Sequence, residues 1–265
     1  MNNRTPAERE AGGATKGQAL LQRMAQEPDV TKGRIISSMA PGSRMSSQQP
    51  KVDICFVFDT TGSMSNKIQG LIECMTSFVD QLAGMNLDWR TTVVPFGDLT
   101  VPGDRVDAQL PFVTDVASAK AQLEGMPRFS GGSNDGESSI DAMWAGLAKP
   151  WRNNAVRILI LLTDEPALSS DQAPRIDTEL TNTDVICFVA SSPAQYYKAW
   201  AGLHGGEWAE IGPSMETGSI VSLLRSLLPR VAKVAHDVHA LAGGSVKQYL
   251  SLPPTSRSSP LPPAK

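Results

Sequence analysis

The chain has 265 residues, 41% of them hydrophobic, and a formal net charge of −3. That length allows one or two domains with a full core. The charge balance lacks the basic excess that nucleic-acid binding leaves, and no apolar run approaches the ~20 residues a bilayer span needs.

Residues 1–50 are rich in Gly, Ser, Gln, Pro and charge, so disorder is expected there. A short helix over 17–25 is possible, with Leu20, Leu21 and Met24 on one side. The first residues are charged and polar, with no hydrophobic region behind them. They do not read as a secretory signal, and the expected location is cytoplasmic. Cys55, Cys74 and Cys187 are far apart and odd in number. They fit small buried hydrophobes better than a disulfide or zinc framework.

From residue 51 strand and helix patterns alternate. Strands are expected at 53–58, 90–96, 108–113, 156–162, 184–190 and 207–211, and helices at 65–83, 116–124, 137–148, 172–181, 194–203 and 217–241. Ile68, Leu71, Ile72, Met75, Val79 and Leu82 keep the spacing of one apolar helix face. The run Arg157–Leu162 is apolar on both faces, as a covered parallel sheet requires. Segment 97–107 is too short for a helical crossover, so 108–113 is expected as an antiparallel edge strand. Together these imply a doubly wound, mostly parallel six-stranded α/β sheet with helices on both faces. The domain is expected over 51–241, followed by a Pro/Ser-rich flexible tail over 242–265.

The most informative stretch is Asp53 to Ser65. An apolar run ends in Asp59, and the hydroxyls of Thr61 and Ser63 follow with Gly62 between them. These residues could cap the next helix. They could equally form an all-oxygen cluster suited to a hard divalent cation. Two further loops could share the point. Ser130–Glu137 is Gly-rich with several oxygen donors, and the strand 156–162 runs into Thr163-Asp164. With strands 53–58 and 156–162 side by side, Asp59 and Asp164 would emerge at one edge of the sheet. Asp59, Thr61, Ser63, Asp135 and Asp164 would then converge, and a cation would remove the repulsion of their carboxylates.

Over about residues 51–240 the chain resembles a von Willebrand factor A-type domain of the intracellular bacterial kind. Its three loops resemble that family's metal-ion-dependent adhesion site. The family's Asp-x-Ser-x-Ser motif corresponds to Asp59-Thr60-Thr61-Gly62-Ser63, with Thr replacing the first Ser. Its Asp after an apolar strand corresponds to Asp164. Its middle ligand, commonly Thr in a Gly-rich loop, falls on Asp135, with Asn134 and Ser133 within reach. The resemblance implies Mg²⁺, with Mn²⁺ or Ca²⁺ as alternatives. The hydroxyls and the middle residue would touch the ion directly, and the two Asp residues would act through water.

What it implies functionally is a protein-interaction module of an intracellular complex, with no membrane or nucleic-acid partner. The ion would complete its sphere with a Glu or Asp from a partner protein. Among bacterial relatives, kinases, phosphatases, chaperone-type ATPases and stress-resistance proteins are the settings suggested. An enzyme is not expected, because no nucleophile–base pair, Gly-x-Ser-x-Gly or phosphate loop is present. Two alternatives are a metal-dependent phosphoester hydrolase, with Arg128 near the second loop, and a structural module whose ion only stiffens the loops. Asp98 is expected in a turn and His204 at a helix end. His236 and His239 are expected on a solvated helix face.

Overall fold

The computed structural model describes residues 49–132, 136–212, 215–253 and 256–257. Five strands make one all-parallel sheet: β1 (Lys51–Asp59), β2 (Asp88–Phe96), β3 (Val156–Leu162), β4 (Val185–Ser191) and β5 (Trp208–Glu210), in the order β2-β1-β3-β4-β5. The helices are α1 (Ile68–Gly84), α2 (Val116–Glu124), α3 (Ser139–Leu147), α4 (Ala173–Asn182), α5 (Gln195–Leu203), α6 (Thr217–Ala242) and α7 (Val246–Ser251).

The period-two geometry of a strand sorts β1 onto two cores. Val52, Ile54, Phe56 and Phe58 join α1, α2, α6 and α7 on one face. Cys55 and Val57 join α3, α4 and α5 on the other. Burial on both faces explains why β1 and β3 are nearly continuous runs of apolar residues. All three cysteines are free and buried, and burial pushes the Cys55 thiol up to about 12.

At the far end of β1 from Asp59, the buried Asp53 carboxylate accepts both Nε and Nη2 of Arg90 at 2.8 and 2.7 Å. It also accepts the backbone N–H and Nε of Arg152, each at 2.7 Å. These charge-assisted bonds tie β1, β2 and the turn before β3 together. The register follows, with Phe58 opposite Leu162 and Asp59 opposite Phe96.

Two expectations are corrected. The stretch 108–113 forms no strand among the described residues, so the sheet has five strands and no antiparallel edge strand. The chain does run antiparallel beside β2, but it meets it only in isolated bridges, Thr91 with Val113 and Phe96 with Val106. The Ala108 and Leu110 carbonyls are taken by side chains instead. Lys149 Nζ donates to Ala108 and Leu110 at 2.8 Å each, and Thr92 Oγ1 donates to Leu110 at 2.9 Å. Pro111 has no N–H to extend a ladder.

The stretch from residue 242, expected as a flexible tail, contains a helix. Gly243, at φ +59°, ends α6 in a left-handed turn, a conformation glycine adopts without strain. The chain then folds back as α7, which buries Val246 and Tyr249 in the first core.

The helix that follows the Gly-rich loop sits close against the sheet. A Cβ at Gly146 of α3 would lie 2.9 Å from Val57 Cγ2 and 3.0 Å from Leu159 Cδ1. Gly146→Leu should therefore lift α3 and lower stability by about 1–3 kcal/mol. Urea denaturation followed by circular dichroism checks this, and an unchanged midpoint would refute the tight packing.

Candidate functional site

In this strand order β1 and β3 are neighbours whose crossovers leave on opposite faces. The crevice beyond their C-terminal ends is thus the topological switch point. Two turns are built there. After Asp59 the chain continues extended through Thr61 and enters a 3₁₀ turn over Gly62–Met64. Thr61 folds back on the carboxylate, donating to Asp59 Oδ1 from its N–H at 3.0 Å and from Oγ1 at 2.6 Å. After β3, Thr163 Oγ1 donates to Asp59 Oδ2 at 2.7 Å. Both oxygens of Asp59 are therefore bonded.

Ser63 and Asp164, further along the two turns, close the circuit. Ser63 Oγ donates to Asp164 Oδ1 at 2.8 Å and lies 3.3 Å from Thr61 Oγ1. Asp59, Thr61 and Asp164 are buried, whereas Ser63 faces solvent. Four of the five residues singled out in the sequence thus meet at one point. The fifth, Asp135, lies outside the described residues, as do Asn134 and Ser133.

What remains described of the third loop is packed directly on the first. Gly62 N–H donates to the Ser130 carbonyl at 3.2 Å, and a Cβ at Gly62 would lie 2.8 Å from that same oxygen. Only a glycine allows this approach. Asp104 holds the loop from outside, accepting the N–H groups of Ser130 at 3.0 Å and Gly131 at 2.9 Å.

Two residues of the site were missed from the sequence. Glu137 entered there only as the last residue of the Gly-rich loop. Its backbone pairs with the turn after Asp164, bonding Pro166 and Leu168 at 2.9 and 3.0 Å. Its side chain is buried near Thr61 and Gly131, and Oε2 has no hydrogen-bond partner among the described residues. Lys67 is the other. It is fully buried, donating from Nζ to Asp164 Oδ2 at 2.5 Å and to the Ser63 carbonyl at 3.1 Å. The signal for Lys67 was its place at the start of a helix, the end that disfavours a cation.

The electrostatics follow from burial. Asp59 is pushed up to about 6, first by loss of solvent, with Thr61 and Thr163 pulling it down and Asp164 pushing further up. Glu137 is pushed up to about 8, again first by burial and then by Asp59, with Asp98 and Asp104 adding to the rise. Asp98 is buried and anchors a turn as expected, accepting the Thr100 N–H at 2.8 Å and its hydroxyl at 2.6 Å. His204 caps the end of α5 and bonds Asp177 at 2.8 Å.

The donors fit a hard cation in kind. Every converging ligand atom is an oxygen. The 3.3 Å between the Thr61 and Ser63 hydroxyls is near the ~3 Å separating adjacent oxygens around an octahedral ion bonded at 2.0–2.1 Å. The unpartnered Glu137 oxygen leaves acceptor capacity unused. Among the described residues no three His, Cys, Asp or Glu side chains form a metal cluster.

A doubly wound parallel sheet with an oxygen-lined crevice at its switch point defines an open-sheet α/β domain. The chain belongs to the von Willebrand factor type A domain family, whose model matches residues 53–193, more than half of its length. No curated protein matches it.

The two raised carboxyls set the sign of the pH dependence without metal. A buried acid favoured in its neutral form contributes stability below its unfolded pKa, and that contribution is lost as pH rises through its folded pKa. For Glu137 the window runs from 4.5 to about 8, and for Asp59 from 3.8 to about 6. In chelator, the melting temperature of the wild type should fall between about pH 5 and pH 8. Glu137→Gln should flatten that fall, and parallel curves in thermal melts would refute the assignment.

Proposed function

We propose that the domain is a metal-dependent protein-interaction module. Domains of this family commonly work this way rather than as enzymes. The observation that carries the reading is the bonded circuit Thr163–Asp59–Thr61–Ser63–Asp164, which brings the ends of β1 and β3 to one point.

In this reading Thr61 and Ser63 hold Mg²⁺ through their hydroxyls, with Mn²⁺ or Ca²⁺ as substitutes. Asp59 and Asp164 orient those hydroxyls by accepting their hydrogen bonds, the supporting role that second partners play around metal ligands. Asp135 contributes from the third loop. The bound ion supplies an electrophilic position for one more oxygen. Ser63, as the exposed member, marks the side from which a Glu or Asp of a partner protein arrives. The setting is an intracellular complex, with the acidic side chain as the specific ligand.

The hydrolase alternative is less well supported. Arg128, the nearest candidate for a catalytic cation, lines a cleft with Gln69, Glu73 and Glu124 and donates to the Met126 carbonyl.

Saturating Mg²⁺ should raise the melting temperature of the wild type, since a ligand at 100 times its Kd adds about 2.7 kcal/mol. Thr61→Ala should cost about 1 kcal/mol for the lost hydrogen bond and abolish the Mg²⁺ response. Asp59→Ala should lose the response too. Partner capture by the full chain should fail in chelator and with Asp59→Ala. A wild type whose melting is unmoved by Mg²⁺, Mn²⁺ or Ca²⁺ would overturn the reading.

A further inference from the structure

The most unusual group beside the site is Lys67. Burying an ammonium is costly unless it is paired, and the first turn of a helix repels a cation. Yet Lys67 is fully buried at the N-cap of α1. Its compensation comes from Asp164 Oδ2 at 2.5 Å and the Ser63 carbonyl at 3.1 Å. Asp164 is thus divided between two partners: Oδ1 accepts the Ser63 hydroxyl at 2.8 Å, while Oδ2 is held by the ammonium. Ser63 is divided as well, its hydroxyl facing the site and its carbonyl bound to Lys67.

We propose that Lys67 is a tethered counter-cation that competes with the divalent ion for Asp164 and so sets how tightly that ion is held. This rests on the metal-binding reading above. Without the ion, Lys67 neutralises Asp164 and keeps the two turns together. With the ion held on the Ser63 hydroxyl, two cations draw on the charge of one carboxylate, Asp164, from its two sides, and their repulsion weakens the complex. The ammonium therefore sets a ceiling on affinity and spares Asp164 the cost of an unpaired buried charge.

The test is isothermal titration calorimetry of MgCl₂ into the full chain, comparing wild type, Lys67→Met and Lys67→Gln. Lys120→Met, which removes a surface cation paired with Asp80, controls for net charge. Lys67→Met and Lys67→Gln should bind Mg²⁺ about tenfold tighter or more, the scale on which groups behind metal ligands act. Lys120→Met should match the wild type. Equal or weaker binding by both Lys67 variants, with the wild type still binding, would overturn the competition and leave the metal site standing. No binding by any variant would overturn the metal reading and the competition with it.

If neither Lys67 variant folds, the wild type decides. The Lys67 side-chain resonance of isotope-labelled protein should move with the same midpoint as Mg²⁺ binding. A resonance unmoved at saturation would overturn the proposal.

Discussion

The site rests on neutralising carboxyl groups that have been taken out of water. Asp59 and Asp164 are fully buried at the ends of two adjacent strands, where unpaired charge is costly. The protein answers each differently. Asp59 receives an N–H and two hydroxyls and sits with a raised pKa. Asp164 receives a hydroxyl and an ammonium. Because the donors come from both turns, satisfying the acids is the same act as fastening the turn after β1 to the turn after β3. Ordering of the loops and electrostatic balance cannot be separated here.

The fold supports this from below. The Asp53 network with Arg90 and Arg152 fixes the other end of β1, so the register that carries Asp59 to the crevice is held at both ends. The close seat of α3 at Gly146 fixes the helix that leaves the third loop. The Ser130 carbonyl over Gly62 sets how near that loop comes to the first. Each contact is local, yet all bear on the distance between the hydroxyl pair and the third loop.

Much of this was legible in the sequence. The strand over 156–162 and the helix over 116–124 have the bounds that periodicity implies, because apolar spacing reports burial directly. Asp59, Thr61, Ser63 and Asp164 were readable because strand ends in a parallel sheet share an edge. The stretch 108–113 was misread because its carbonyls are claimed by Lys149 and Thr92, residues distant in sequence. The helix Val246–Ser251 was missed because it is short and held by tertiary packing of Val246 and Tyr249. Lys67 falls inside the helix expected over 65–83 with nothing local to mark it, and only the fold shows which carboxylate it meets.

The irregular chain beside β2 has a further consequence. Exposed strand edges invite pairing with other chains. Here the β2 margin is shielded by a segment bridged at Thr91 and Phe96, and the opposite margin, β5, spans only Trp208–Glu210. Among the described residues neither border offers a long template for backbone-to-backbone addition. Sheet extension, which recognises almost any extended peptide, is thereby disfavoured at both margins.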